Sequence, residues 1–145
     1  MSARLQTAIG FLASALALAF LTLFIMIDLA RPLLDGSGPA DPETVRAIAE
    51  QLYPLPAVTE VRAFYLLAGL LPILLPALGD RRALAWACLL VGTLLTAGNL
   101  QDGIGAFLLG GRPLLGIAYM LAVGLPAAIG LAGAWRWARQ PVAAA

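Results

Sequence analysis

Eight polar residues punctuate the ends of long apolar runs: Asp28, Arg31, Glu60, Arg62, Asn99, Gln101, Asp102 and Arg112. The densest group lies in AGNLQDGIGAFLLGGRP, residues 97–113, where the third run turns polar among glycines. Asn99 and Asp102 are three residues apart, so on a helix they share a face. A carboxylate below the level of lipid headgroups is costly unless paired or hydrated, which turns Asp28 and Asp102 inward and makes Arg62 and Arg112 their partners. Arginine can hold a carboxylate or a phosphate through two parallel hydrogen bonds, so the same residues can bind a polar group over an apolar shaft. Asp28, Arg62, Asn99, Asp102 and Arg112 are therefore the candidate ligand site. The competing reading is that helix ends ordinarily carry charges, that arginines snorkel, and that these residues pair with one another.

Other chemistry is excluded by what the chain lacks. All nine basic residues are Arg, so there is no lysine for Schiff-base catalysis or for a lysine-linked retinal or pyridoxal group. The absence of His removes an imidazole base, histidine-ligated haem and histidine-containing metal sites. The single Cys88 forms no intrachain disulfide and sits in an apolar run, as a small packed residue does. No catalytic residue, metal or cofactor is assigned. A net charge of +1 gives no global field to attract nucleic acid.

The elements that must position the polar residues follow from composition. Hydrophobic residues make up 61% of the chain, charged residues 12%, and the mean hydropathy is +0.91, values of an integral membrane protein in contact with a lipid bilayer. The 145 residues accommodate four helices of about 20 residues and little else, hence a single transmembrane domain spanning 1–145. The expected fold is an all-α, antiparallel up-down-up-down four-helix bundle, with crossings at about 5–29, 61–78, 83–103 and 113–135. A short amphipathic surface helix is expected in the first loop, at about 42–52. There Asp41 is a candidate N-cap, Pro42 suits the first helical position, and Val45, Ile48, Ala49 and Leu52 recur on one face.

The first run is too long for a signal-peptide core of roughly 7 to 15 residues and reads as an uncleaved anchor. Gly10 with Ser14, and Ala13 with Ala17, are small pairs that let a second helix approach closely, and Gly92, Thr93, Thr96 and Ala97 repeat the pattern in the third run. Pro72 and Pro76 predict a kink in helix two and Pro126 one in helix four, while Ile104 to Leu109 either extends helix three or lies along the surface. Gly79, Asp80, Arg81 and Arg82 form a turn too short for anything but a return. Trp86 is expected near an interface, and Trp135, Arg136, Trp137 and Arg139 close helix four as an aromatic and basic stop. RPLL occurs at residues 31–34 and 112–115, but one copy leads into a loop and the other into a helix, which argues against duplication.

In this topology one side of the membrane holds Arg4, Arg81, Arg82, Arg136 and Arg139 against one acid, and the other holds four Arg against seven acids. The short Arg81–Arg82 turn then sets both termini in the cytoplasm. Arg62, Ala63, Phe64 and Tyr65, with Gly69, Asp80, Arg81, Arg82 and the glycine-polar end of helix three, resemble small uncharacterised bacterial four-helix membrane proteins of the DoxX-like kind. Those proteins often carry an arginine after the glycine that ends helix three, where this chain has Gly98 and Asn99. The resemblance implies the fold, a bacterial inner-membrane location and an accessory role, and transfers no catalytic residue. The expected function is an accessory or structural component of a membrane assembly, partnered by another membrane protein or a second copy. The alternative is a binder or transporter of a small amphiphile or lipid, and an enzyme ranks third.

Overall fold

The computed structural model describes residues 1–34, 37, 43, 68–108 and 113–140, and among them every regular element is helical. Helix α1 is Ala3–Leu34, α2 is followed over Ala68–Leu78, α3 is Arg82–Leu108, and α4 covers residues 113–138. Segments of α1, α3 and α4 are long and apolar enough to cross a membrane: Ala3–Leu21, Arg82–Gln101 and Gly116–Ala138. Most of their exposed positions are apolar, including Leu16, Phe20, Leu90, Leu94, Leu121 and Leu125, as a lipid-facing surface requires, while the exposed Arg82, Gln101 and Arg136 stand at or near the span ends. The expected surface helix at 42–52 and the first part of helix two, 61–67, lie outside the described residues.

Helix ends are fixed by local chemistry. Ser2 Oγ accepts the N–H of Leu5 at 3.2 Å and caps α1. The helix is described through Pro32 to Leu34, five residues beyond the expected end, because a proline inside a helix removes only one donor. Pro76 closes α2 with a tighter 3₁₀ turn, Leu75–Leu78, and Gly79 follows at φ 139°, a conformation open to glycine, which reverses the chain into α3. Residues 104–108 extend α3 rather than leaving it.

The irregularity expected at Pro126 appears one turn earlier. Helix α4 widens from α to π over Met120–Gly124 and resumes α geometry at Leu125–Ala138. Pro126 has no N–H for the carbonyl of Ala122, and the wider turn accommodates that lost bond. Ser14 Oγ, from α1, donates to the Val123 carbonyl at 2.9 Å, satisfying a π-turn acceptor where no water is at hand.

Contact pairs along α1 and α4 run in opposite order: Thr7 with Gly133, Gly10 with Gly130, Ser14 with Val123. These two helices are therefore antiparallel, and so are α3 and α4, where Trp86 meets Trp135 and Leu100 meets Gly124. The α1–α4 seam is made by glycine, as Gly10 and Ser14 foretell. A Cβ on Gly10 would lie 2.5 Å from the Gly130 Cα and 2.7 Å from the Pro126 carbonyl oxygen. Unlike Ser14, two threonines within the spans bond inside their own helix, Thr7 to the Ala3 carbonyl at 2.9 Å and Thr96 to that of Gly92 at 2.6 Å.

Candidate functional site

Of the five candidate ligand residues, the structure places one in full. Asn99 is half-buried on α3 and lines a cleft with Thr96, Leu100, Tyr119, Val123, Gly124 and Ala127. Asp28 and Asp102 are on α1 and α3, but their side chains lie outside what is described, as do Arg62 and Arg112 altogether. The expected inward layer is thus reduced to its α3 contribution. Thr96, one turn before Asn99 on the same face, and Tyr119, on the opposing wall, join it. Neither was among the candidates; the sign that pointed to Thr96 is its i, i+3 spacing from Asn99.

The cleft lies beside the π-turn. Val123 and Gly124 form its floor, and Gly124 leaves open the space above it, where a Cβ would approach Leu100 Cδ2 at 3.3 Å. Some 160 Å³ of space, counted to beyond the helix surface, lies between α3 and α4 here. It is a shallow, laterally open notch with no interior chamber. The surface that the notch presents is apolar, and the Thr96 hydroxyl is already spent on the Gly92 carbonyl, so the notch as it stands suits an apolar chain rather than a polar group, and its residues make no nucleophile–base pair and no metal-ligand set.

The opposite end of the bundle is built more completely. Trp137 is buried among Ala3, Ala85, Cys88, Ala134 and Ala138, with Leu75, Leu84 and Leu89 around them, so one indole fills the junction of all four helices. Its Nε1–H donates to Asp80 Oδ1 at 2.6 Å. The Arg4 guanidinium stands 5.9 Å from the centre of the same indole and donates through Nε to the Pro76 carbonyl at 2.9 Å, with Nη2 on the same oxygen. Arg136 Nη1 donates to Gln6 Oε1 at 3.0 Å, and Gln6 Nε2 reaches the Ile129 carbonyl at 3.3 Å. Among the described residues no buried side-chain nitrogen or oxygen lacks a partner.

This corrects the reading of the C-terminal aromatic stop. Trp135 is exposed and meets Trp86 edge-on, at 6.2 Å between ring centres and 83° between planes, whereas Trp137 is core. Two residues along a helix is about 200° of rotation, so a pair spaced in this way cannot share one face. No protein-family model matches the chain, and no curated protein or solved structure is significantly similar to it.

Proposed function

We propose that this chain is a small four-crossing membrane protein, an up-down-up-down bundle with both termini in the cytoplasm and a surface helix near 42–52, serving as an accessory or structural component of a membrane assembly. The observation that carries this reading is the α1–α4 seam, where Gly10 lies against Gly130 and Gly133 against Thr7 with no room for a methyl group. Such packing is the means by which helices associate in lipid, where burying apolar surface gives no driving force. The polar side chains Arg4, Gln6, Ser14 and Trp137 reach across the helix contacts in the same interior. An interior spent on holding itself together leaves the lipid-facing and outer surfaces for function, which suits contact with another membrane protein or a second copy. The DoxX-like motifs at Arg62–Tyr65 and Asp80–Arg82 agree with a bacterial inner-membrane protein of this kind. Native mass spectrometry of the gently extracted full chain tests it: a stoichiometric partner chain is expected, and a chain always recovered alone would refute it.

The apolar notch that Asn99 lines suggests a second reading, a binder of a small amphiphile whose tail would lie in the notch; its polar end would go to the layer Asp28, Arg62, Asn99, Asp102 and Arg112, as the sequence reading has it. In that case the extracted protein retains an apolar molecule with a polar end. Recovery of the bare monomer counts against both readings.

A further inference from the structure

At the end of the bundle that carries the N-terminus and the Gly79 turn, α3 and α4 bring together two tryptophans and two arginines. Trp86 and Trp135 touch edge to face across the helix pair, both exposed. Arg82 precedes Trp86 by four residues, and Arg139 follows Trp135 by four. Because the helices are antiparallel, both offsets lead the same way, out of the membrane, and each arginine stands about 6 Å along the axis beyond its tryptophan on the same helix face. The backbone bears this out for Arg139, which caps α4 with right-handed dihedrals and donates its N–H to the Trp135 carbonyl at 3.2 Å, while its guanidinium lies 4.1 Å over the Trp135 ring.

These two cations have no carboxylate among the described residues. Asp80, the one acid at this end, accepts from the indole of Trp137. Arg4 and Arg136 are engaged elsewhere, with Pro76 and Gln6, and Arg81, exposed beside Arg82 but outside the tryptophan faces, adds a further positive charge at this end. The first turn of α3 carries no acid, so the positive end of its dipole adds to the field. Toward the membrane interior, Leu90 and Leu94 on α3 and Ala132 and Ala128 on α4 are exposed, a leucine wall beside small alanines below the indoles.

We propose that Arg82 and Arg139, above the Trp86–Trp135 contact, bind the phosphate of an anionic phospholipid whose acyl chain follows the Leu90 and Ala132 surface. Guanidinium forks match phosphate oxygens, and indoles favour the depth of the glycerol backbone. A zwitterionic lipid brings its own cation, which two arginines without a carboxylate among the described residues repel. A free phosphate has no use for the indoles and the apolar surface beneath them.

The full chain, reconstituted in phosphatidylcholine vesicles, is titrated with phosphatidylglycerol carrying brominated acyl chains, and tryptophan fluorescence is read. Quenching is expected at lower mole fractions than with brominated phosphatidylcholine, since Trp86 and Trp135 are exposed and Trp137 is buried. At about 1 kcal/mol per basic residue at a membrane surface, Arg82→Gln raises the half-quenching fraction about fivefold, and Arg82→Gln with Arg139→Gln about thirtyfold. Arg136→Gln leaves it unchanged; an equal loss there would mean diffuse attraction and overturn the site. Equal quenching by the two lipids, or displacement by inorganic phosphate at matched ionic strength, would also overturn it. Should the glutamine variants fail to fold, Arg82→Lys with Arg139→Lys decides, because it keeps charge and loses the fork: weaker quenching supports the site and unaltered quenching refutes it. Asp102→Asn, at the other end of α3, leaves this titration unchanged, which separates it from the outer-layer reading above.

Discussion

Replacing Gly10 by Ala forces one methyl group against backbone on which no side chain can yield. The new Cβ would stand 2.5 Å from the Gly130 Cα and 2.7 Å from the Pro126 carbonyl oxygen, against about 3.5 Å or more for an ordinary contact, so α1 and α4 must part by about 1 Å. Overpacking of this size costs about 1–3 kcal/mol. Parting by that amount also lengthens the 2.9 Å bond from Ser14 to Val123 beyond hydrogen-bonding range, which adds about 0.6 kcal/mol, the mean for such bonds between membrane helices. The expected loss is about 2–4 kcal/mol in the unfolding free energy of the extracted protein, read by titrating mixed micelles with a denaturing detergent and following helicity. Two controls isolate the cause. A Cβ on Gly69 meets nothing within 4 Å, so Gly69→Ala is neutral or stabilising by about 0.5–1 kcal/mol. The atoms nearest a Cβ on Gly92 all belong to the Phe11 ring, Cζ first and Cε1 at 2.9 Å, a side chain rather than backbone, so Gly92→Ala falls between the two. Wild-type stability for Gly10→Ala, or a loss no larger than for Gly92→Ala, would refute the claim that the α1–α4 seam is closed backbone to backbone.

Trp137→Phe keeps most of the buried ring but removes the donor to Asp80; as that carboxylate is exposed and can turn to water, a loss of about 1 kcal/mol beyond the change in packing is expected, and a double-mutant cycle with Asp80→Ala measures it. Trp137→Ala empties the junction of all four helices and should cost about 3–5 kcal/mol, seen as failure to recover folded protein on extraction. Ser14→Ala leaves the Val123 carbonyl without its donor and should speed amide exchange across Met120–Gly124 while leaving Gly133–Ala138 protected; uniform exchange along α4 would argue against a local role. If the outer layer binds an amphiphile, Asp102→Asn changes ligand retention and leaves the extracted fold intact, whereas equal loss of both marks the residue as structural.

The spans of α1, α3 and α4 are legible because hydropathy and helix length answer to the same bilayer thickness. The close face of α1 is legible too, since Gly10 and Ser14 four residues apart can serve few other ends in a membrane helix, and both meet α4. In α3 the same pattern is split between partners: Gly92 is buried against Phe11 and Thr96 lines the notch, while Thr93 and Ala97 are exposed. Burial of Trp137 is illegible locally, because its pocket is assembled from Ala3, Ala85 and Cys88 on other helices. Arg4 is equally opaque, since its partner is the Pro76 backbone carbonyl, which side-chain identity does not reveal. Of the polar layer at the other end, only the side chains of Asn99 and Gln101 can be set against the structure: Gln101 is exposed, and Asn99 lines a notch that no spacing rule describes.

The π-turn in α4 bears on how this chain can change over generations. A π-turn amounts to one residue inserted into an α-helix, and removing it swings the two halves about 100° relative to each other. In α4 those halves answer to different neighbours: Tyr119 faces the notch shared with α3, while Gly130, Gly133 and Trp137 face α1 and the four-helix junction. A one-residue deletion within Met120–Gly124 would set those demands in conflict, whichever residue were lost, whereas single substitutions at exposed Leu121 or Ala122 leave both faces in register. The length of this segment is therefore more tightly constrained than its composition, and lineages descended from this sequence are expected to vary the letters between Tyr119 and Leu125 while keeping their number.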